Sequence, residues 1–143
     1  MALPKHVKLE FVTPERVIVH DDVDEIEIPG EDGFFGVLPG HAPLLAALKP
    51  GELWYRKGSE KRYAFIAGGF AEVLPERVAI LAQVAERAED IDVQRAEASK
   101  RRAEERLARP VADMDFERAR IALIKSIARL QVSRQAHSRA PRG

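Results

Sequence analysis

Asp92, Arg95, Ser99, Arg102 and Arg106 recur at spacings of three and four, so on a helix they share one face. Farther along, Arg118, Ala122, Lys125 and Arg129 repeat the pattern. If two such helices fold together with these faces adjacent, several cations converge near one acid. That convergence is costly without a counter-anion, and guanidinium forks match phosphate oxygens in a bidentate geometry. Two readings follow from the residues alone: a solvated, helix-stabilising face, which is the simpler one, or a polyphosphate site that exists only while the helices are closed.

Other chemistry is hard to find. The chain lacks a G-x-x-x-x-G-K-[ST] phosphate loop, a G-x-S-x-G nucleophile elbow, an H-E-x-x-H pair and EF-hand spacing. With no cysteine there is no disulfide, thiolate nucleophile, cysteine zinc site or iron–sulfur cluster. His6, His20, His41 and His137 lack metal-ligand spacing and read as surface or turn residues. Asp21, Asp22, Asp24 and Glu25 form an acidic run without a glycine-containing liganding loop, which reads as a solvated strand connection. Gly68-Gly69 reads as a tight turn or bulge where side chains would collide. No catalytic residue or metal centre is expected.

The elements that must position the charged faces follow from composition. At 143 residues and 16.0 kDa the chain suffices for one ordinary domain plus an appendage. Eight of the nine glycines and seven of the nine prolines precede residue 76, whereas residues 86–109 and 111–140 contain neither. The first half therefore reads as strands and turns, the second as two helices divided by Pro110. Short apolar runs at 7–11, 16–19, 23–28, 34–38, 44–48, 52–56, 62–67, 70–73 and 78–82 make about nine strands. That number needs two packed sheets, a β-sandwich. Asp90 or Asp92 can cap the first helix, and Asp113 or Asp115 the second, which carries an apolar stripe of Phe116, Ala119, Leu123, Ile127 and Leu130. Facing it, Ala96, Ala103 and Leu107 bury little, so the antiparallel hairpin is expected to be marginal by itself and able to occupy more than one position.

Charge divides the same way. Residues 1–87 hold 10 basic and 14 acidic side chains (net −4), and residues 88–143 hold 13 and 9 (net +4), so the neutral total hides a dipolar molecule. No apolar run approaches the roughly 20 residues that span a bilayer, and the start has no apolar leader, so a soluble or peripheral intracellular protein is expected.

Three stretches carry a resemblance: Gly36-Val37-Leu38-Pro39-Gly40-His41-Ala42-Pro43-Leu44-Leu45, Ile66-Ala67-Gly68-Gly69-Phe70-Ala71-Glu72-Val73, and Val78-Ala79-Ile80-Leu81-Ala82 leading into Ala85-Glu86. In this order, with a helical pair behind them, they make the chain resemble the ε subunits of bacterial F-type ATP synthases over nearly its whole length. The resemblance implies a ten-stranded β-sandwich at 1–87, which binds the γ subunit and the c-ring, and a regulatory helical hairpin at 88–143 with a disordered basic tail from about 133. It implies a noncatalytic central-stalk subunit that couples proton-driven rotation to ATP synthesis, peripheral on the cytoplasmic face of the bacterial plasma membrane and attached to it only through the complex. The c-ring side would be the turn Glu31, Asp32, Gly33 and the loop Pro39, Gly40, His41, Ala42, Pro43. The helices, when extended, would meet an acidic segment of the β subunits and block ATP hydrolysis.

Some members of that family bind ATP on the folded hairpin through a motif that begins Ile or Leu, Asp, two variable residues, Arg, Ala. Ile91-Asp92-Val93-Gln94-Arg95-Ala96 fits it at every fixed position. The resemblance adds Glu86 and Arg102, and on the second helix Lys125 and Arg129, where lysine replaces one of two arginines and loses the bidentate fork. No cofactor is required on this reading; ATP, with or without magnesium, would be a regulatory ligand. The competing reading is a free-standing adaptor whose basic hairpin binds nucleic acid, against which Phe116 stands as the lone aromatic of the helical half.

Overall fold

A computed structural model describes residues 3–109 and 112–138. Eight strands come first: β1 (Val7–Val12), β2 (Val17–Val23), β3 (Glu25–Gly30), β4 (Gly33–Val37), β5 (Leu44–Ala47), β6 (Gly51–Lys57), β7 (Glu60–Val73) and β8 (Arg77–Arg87). A single turn at Ala88–Asp90 leads into helices α1 (Val93–Ala108) and α2 (Asp113–Ser138).

The hydrogen-bonded ladder folds over on itself. The late part of β7 pairs with β5 and with the early part of β8, which pairs in turn, in parallel, with β1, and β1 with β2. The early part of β7 pairs with β6 and with the late part of β8, and β6 continues to β3 and β4. Two layers result, sharing the long strands β7 and β8. Counted half by half, the described residues give ten strand segments, five per layer. The separate strands read at 62–67 and 70–73 are one continuous β7, bent where Gly68 and Gly69 hold φ of 76° and 115°. A Cβ on Gly69 would stand 2.0 Å from the Leu81 carbonyl oxygen, so two backbones cross there at a distance only glycine permits.

Strict alternation fills the interior. Val7, Leu9 and Phe11 from β1 meet Ile26, Ile28, Leu53, Ile66, Val73 and Ile80, all fully buried. Phe65 and Ala67 flank Ile66 and are buried too, although successive strand residues face opposite ways. The second layer is therefore covered on both faces around β7, and its outer cover is α2. Phe65, Ala67, Ala88, Ile91, Ala128 and Val132 form a second apolar cluster distinct from the main core.

α2 must serve two neighbours, which corrects the stripe read from spacing. Ala119 and Leu130 are buried, but Phe116 and Ile127 are 41% and 38% exposed. Leu130 and Ser133 close against α1, while Ala128 and Val132 close against the sandwich, so the buried surface is wider and shifted around the helix. Ser126 and Ser133 sit buried without penalty because their hydroxyls donate to the Ala122 and Leu130 carbonyls, each at 2.8 Å. The start of α2 is also corrected: the Phe116 N–H bonds the Ala112 carbonyl, one position ahead of the cap expected at Asp113 and three ahead of the alternative at Asp115. The disordered tail expected from about residue 133 is corrected over 133–138, which continue α2 with Ser133 buried. Arg139 and Arg142 of that tail, and Pro110 between the helices, lie outside the described residues. Among the described residues no helix is long and apolar enough to cross a membrane.

Candidate functional site

The start of α1 explains most of its own sequence. Ile91 is 8% exposed, plugged into the cluster around Phe65. Asp92, with extended φ and ψ of −78° and 98°, is the N-cap, and its carboxylate accepts the Arg95 N–H at 3.0 Å. The Ala96 N–H bonds the Asp92 carbonyl at 3.0 Å, and Ala96 is small enough to be buried. Three of the four fixed motif positions thus set where the helix begins and how closely it lies. The Arg95 side chain remains for chemistry.

Between β8, α1 and α2 lies a cleft of about 300 Å³ lined by Glu86, Asp90, Asp92, Arg95, Ala96, Ser99, Arg102 and Arg129. Six of the eight residues expected at a nucleotide site therefore meet, with Ile91 buried beside them; Lys125, one turn before Arg129 on α2, is not among the lining residues. Arg118 is likewise absent from the lining. Arg129 Nε donates to Glu86 Oε1 at 2.6 Å, and its guanidinium lies 4.5 Å from the Phe65 ring centre. Arg95 and Arg102 make no ion pair with any described residue. The expected convergence of cations near one acid is corrected: Glu86, Asp90 and Asp92 balance the three arginines. Spacing missed Asp90, whose carboxylate stands 4.0 Å from both Arg16 and Arg87 and ties the cleft floor to the sandwich.

Beside the cleft, burial under α2 raises the Glu52 carboxyl above the ordinary value; a hydrogen bond from Gln135 partly offsets this and the Glu27 charge adds to it. The acidic run is a structural clasp. Asp24 accepts the Gly58 N–H at 2.7 Å and the His6 Nδ1–H at 2.8 Å, and these bonds hold its carboxyl below the usual range. Asp21 is lowered chiefly by the Lys57 ammonium, 2.9 Å away. Among the described residues no three acids or histidines gather as a metal site.

The two loops expected to face the c-ring stand at opposite ends of β4. Glu31 donates its N–H to Ala47, whereas Gly40 donates to Pro75 and His41 to Leu38. Four exposed apolar side chains lie between or next to them in the chain: Phe34, Leu38, Leu44 and Leu45, at 40–70% exposure. A second apolar pair, Phe70 and Leu81, faces outward in register on β7 and β8. Both groups were hidden in the sequence because alternation marks a residue as apolar without saying which face is covered. Such clustered exposure marks contact surfaces.

Comparison with known proteins gives concordant matches. Residues 6–88 match the family model of the ATP synthase delta/epsilon chain β-sandwich domain, and residues 89–134 that of its long α-helix domain. An ATP synthase epsilon chain of Syntrophobacter fumaroxidans is 50% identical over 131 residues, 92% of this chain and 98% of its own. One from Nitratidesulfovibrio vulgaris is 45% identical over 130 residues, 91% and 97% of the two chains. A chain of the Euglena gracilis mitochondrial ATP synthase, solved as OSCP/F1/c-ring, superposes with a TM-score of 0.82 at 25% identity, covering 96% of this chain and 84% of its own. A chain from the Tetrahymena thermophila central stalk and c-ring shares the fold at TM-score 0.53 and 18% identity, covering 92% and 94%.

Proposed function

The chain belongs to the ATP synthase delta/epsilon family, and from that premise we propose that it is a noncatalytic rotor subunit whose hairpin restrains ATP hydrolysis and binds ATP when folded. The sandwich grips the γ subunit and rests on the c-ring, on the cytoplasmic face of the bacterial plasma membrane, carrying torque without making or breaking covalent bonds. Phe34, Leu38, Leu44 and Leu45, framed by Glu31–Gly33 and 39–43, suit an extended apolar contact with the ring. Phe70 and Leu81 suit a second contact with γ. When the hairpin extends, its net +4 charge meets the acidic segment of the β subunits and opposes hydrolytic rotation.

The observation that carries the nucleotide reading is the cleft that gathers Arg95, Arg102 and Arg129 at the N-terminus of α1. Two guanidinium groups, Arg95 and Arg102, that form no ion pair among the described residues and stand beside the positive end of a helix dipole suit a polyphosphate. Arg95 holds the triphosphate from the first turn of α1 and Arg102 from two turns on. Arg129 reaches it from α2, so ligand bridges the two helices and the sandwich. Titration calorimetry of the full chain tests this. ATP is expected to bind and GTP not to, and Arg95→Ala should weaken ATP at least about tenfold; equal binding in the variant removes the assignment.

A further inference from the structure

On the outer face of the second layer, Glu52, Phe65 and Glu86 stand in one cross-strand row, since Glu52 pairs with Phe65 and Phe65 with Glu86. α2 lies on that row. Ala128 and Val132 pack into the cluster around Phe65, Gln135 bonds Glu52, and Arg129 bonds Glu86. The apolar part of this contact is small, with Ala128, Val132 and the partly buried Ala136 against one ring and its neighbours. Arg129 is held twice, by its face to the Phe65 ring and by its edge to the carboxylate. The pair is only 28% and 32% exposed, so water screens it less than a surface ion pair.

A carboxylate of the chain therefore already stands at the guanidinium that a phosphate would seek. We infer that Glu86 is an internal counter-anion that clamps Arg129 over Phe65 and keeps the hairpin docked without nucleotide. This rests on the reading of a movable hairpin and deepens it. ATP, to engage Arg129, must exchange with Glu86, and the exchange trades one charged hydrogen bond for another. The stabilisation of the docked state by ATP is correspondingly small in the wild-type chain. It grows when Glu86 is neutralised, because Arg129 is then left in a half-buried position without an anion.

Hydrogen exchange of the full chain, read by mass spectrometry, tests the clamp. Without nucleotide, the amides of 128–136 should exchange about tenfold faster in Glu86→Gln and in Arg129→Gln than in wild type. The double variant should be no faster than either single one, since the pair is already broken. Added ATP should slow exchange strongly in Glu86→Gln and little in wild type. Equal nucleotide-free exchange in wild type and both single variants overturns the clamp, as does a measurable slowing by ATP that is as large in wild type as in Glu86→Gln. Amides of β1, in the main core, report whether the sandwich is intact. Where Glu86→Gln disturbs them, Arg129→Gln, on the outside of the sandwich, decides. An absence of any ATP effect in every variant would end the nucleotide reading while the nucleotide-free comparison still decides the clamp.

Discussion

At Gly69 a Cβ would meet the Leu81 carbonyl oxygen at 2.0 Å and the Ala82 Cα at 2.9 Å, with φ at 115°. Gly69→Ala must therefore part the two strands on which both layers depend, and the expected loss is about 3 kcal/mol or more. Gly36→Ala is the control: its Cβ meets nothing within 4 Å and its φ is not positive, so a change within about 1 kcal/mol is expected. Urea unfolding followed by the fluorescence of Trp54, the single tryptophan, measures both. A mild Gly69→Ala would mean that the crossing is not a rigid joint. Residue roles were legible where the partner is local: Asp92 caps an N–H three positions on, and Ala96 is small where the helix approaches. Arg129 was legible as a cation but not as a clamped one. Glu86 is 43 positions away, and only the register of β8 against α2 brings the two together.

Among the elements, β2 and β6 are tied at their ends by the acidic clasp, and this tie should show in the acid response. Asp24 and Asp21 have carboxyls lowered by Gly58 and by Lys57 respectively, as their first causes. A lowered acid contributes stability that is fully present above the ordinary value of 3.8 and is lost as pH falls through the folded-state value. Thermal melts should thus fall as the pH drops below the ordinary carboxylate value of 3.8, and fall less steeply in Asp24→Asn, whose side chain has no proton to gain. Parallel slopes in the two proteins would show that the clasp is not the acid-sensitive joint. Glu52 works in the opposite sense: its raised carboxyl binds protons more readily with α2 docked, so its charge opposes docking once ionised. The strand pieces were legible from alternation, and so were both helices from the disappearance of glycine and proline. The continuity of β7 was not, because Gly68-Gly69 looks like a turn when read without its partner β8.

For the whole molecule, the question is whether the sandwich can act without the hairpin. Its main core draws only on residues from Val7 to Ala85, and β8 ends at Arg87, so nothing in that interior is removed with residues 88–143. What is removed is the cover over Phe65 and Ala67, together with the partner of Glu86. The truncated chain should fold, expose one aromatic patch on the second layer, and keep Phe34, Leu38, Leu44, Leu45, Phe70 and Leu81 as they are. It should therefore still assemble with the rotor. The net charge of what remains is −4, so on the proposed mechanism the attraction to an acidic segment would go with the helices. ATP hydrolysis by the complex reassembled with residues 1–87 should accordingly run faster than with the full chain, at equal occupancy of the subunit. Equal rates would move the restraint from the hairpin to the sandwich, and loss of assembly would mean that the helices, rather than the exposed apolar groups, hold the chain in the stalk.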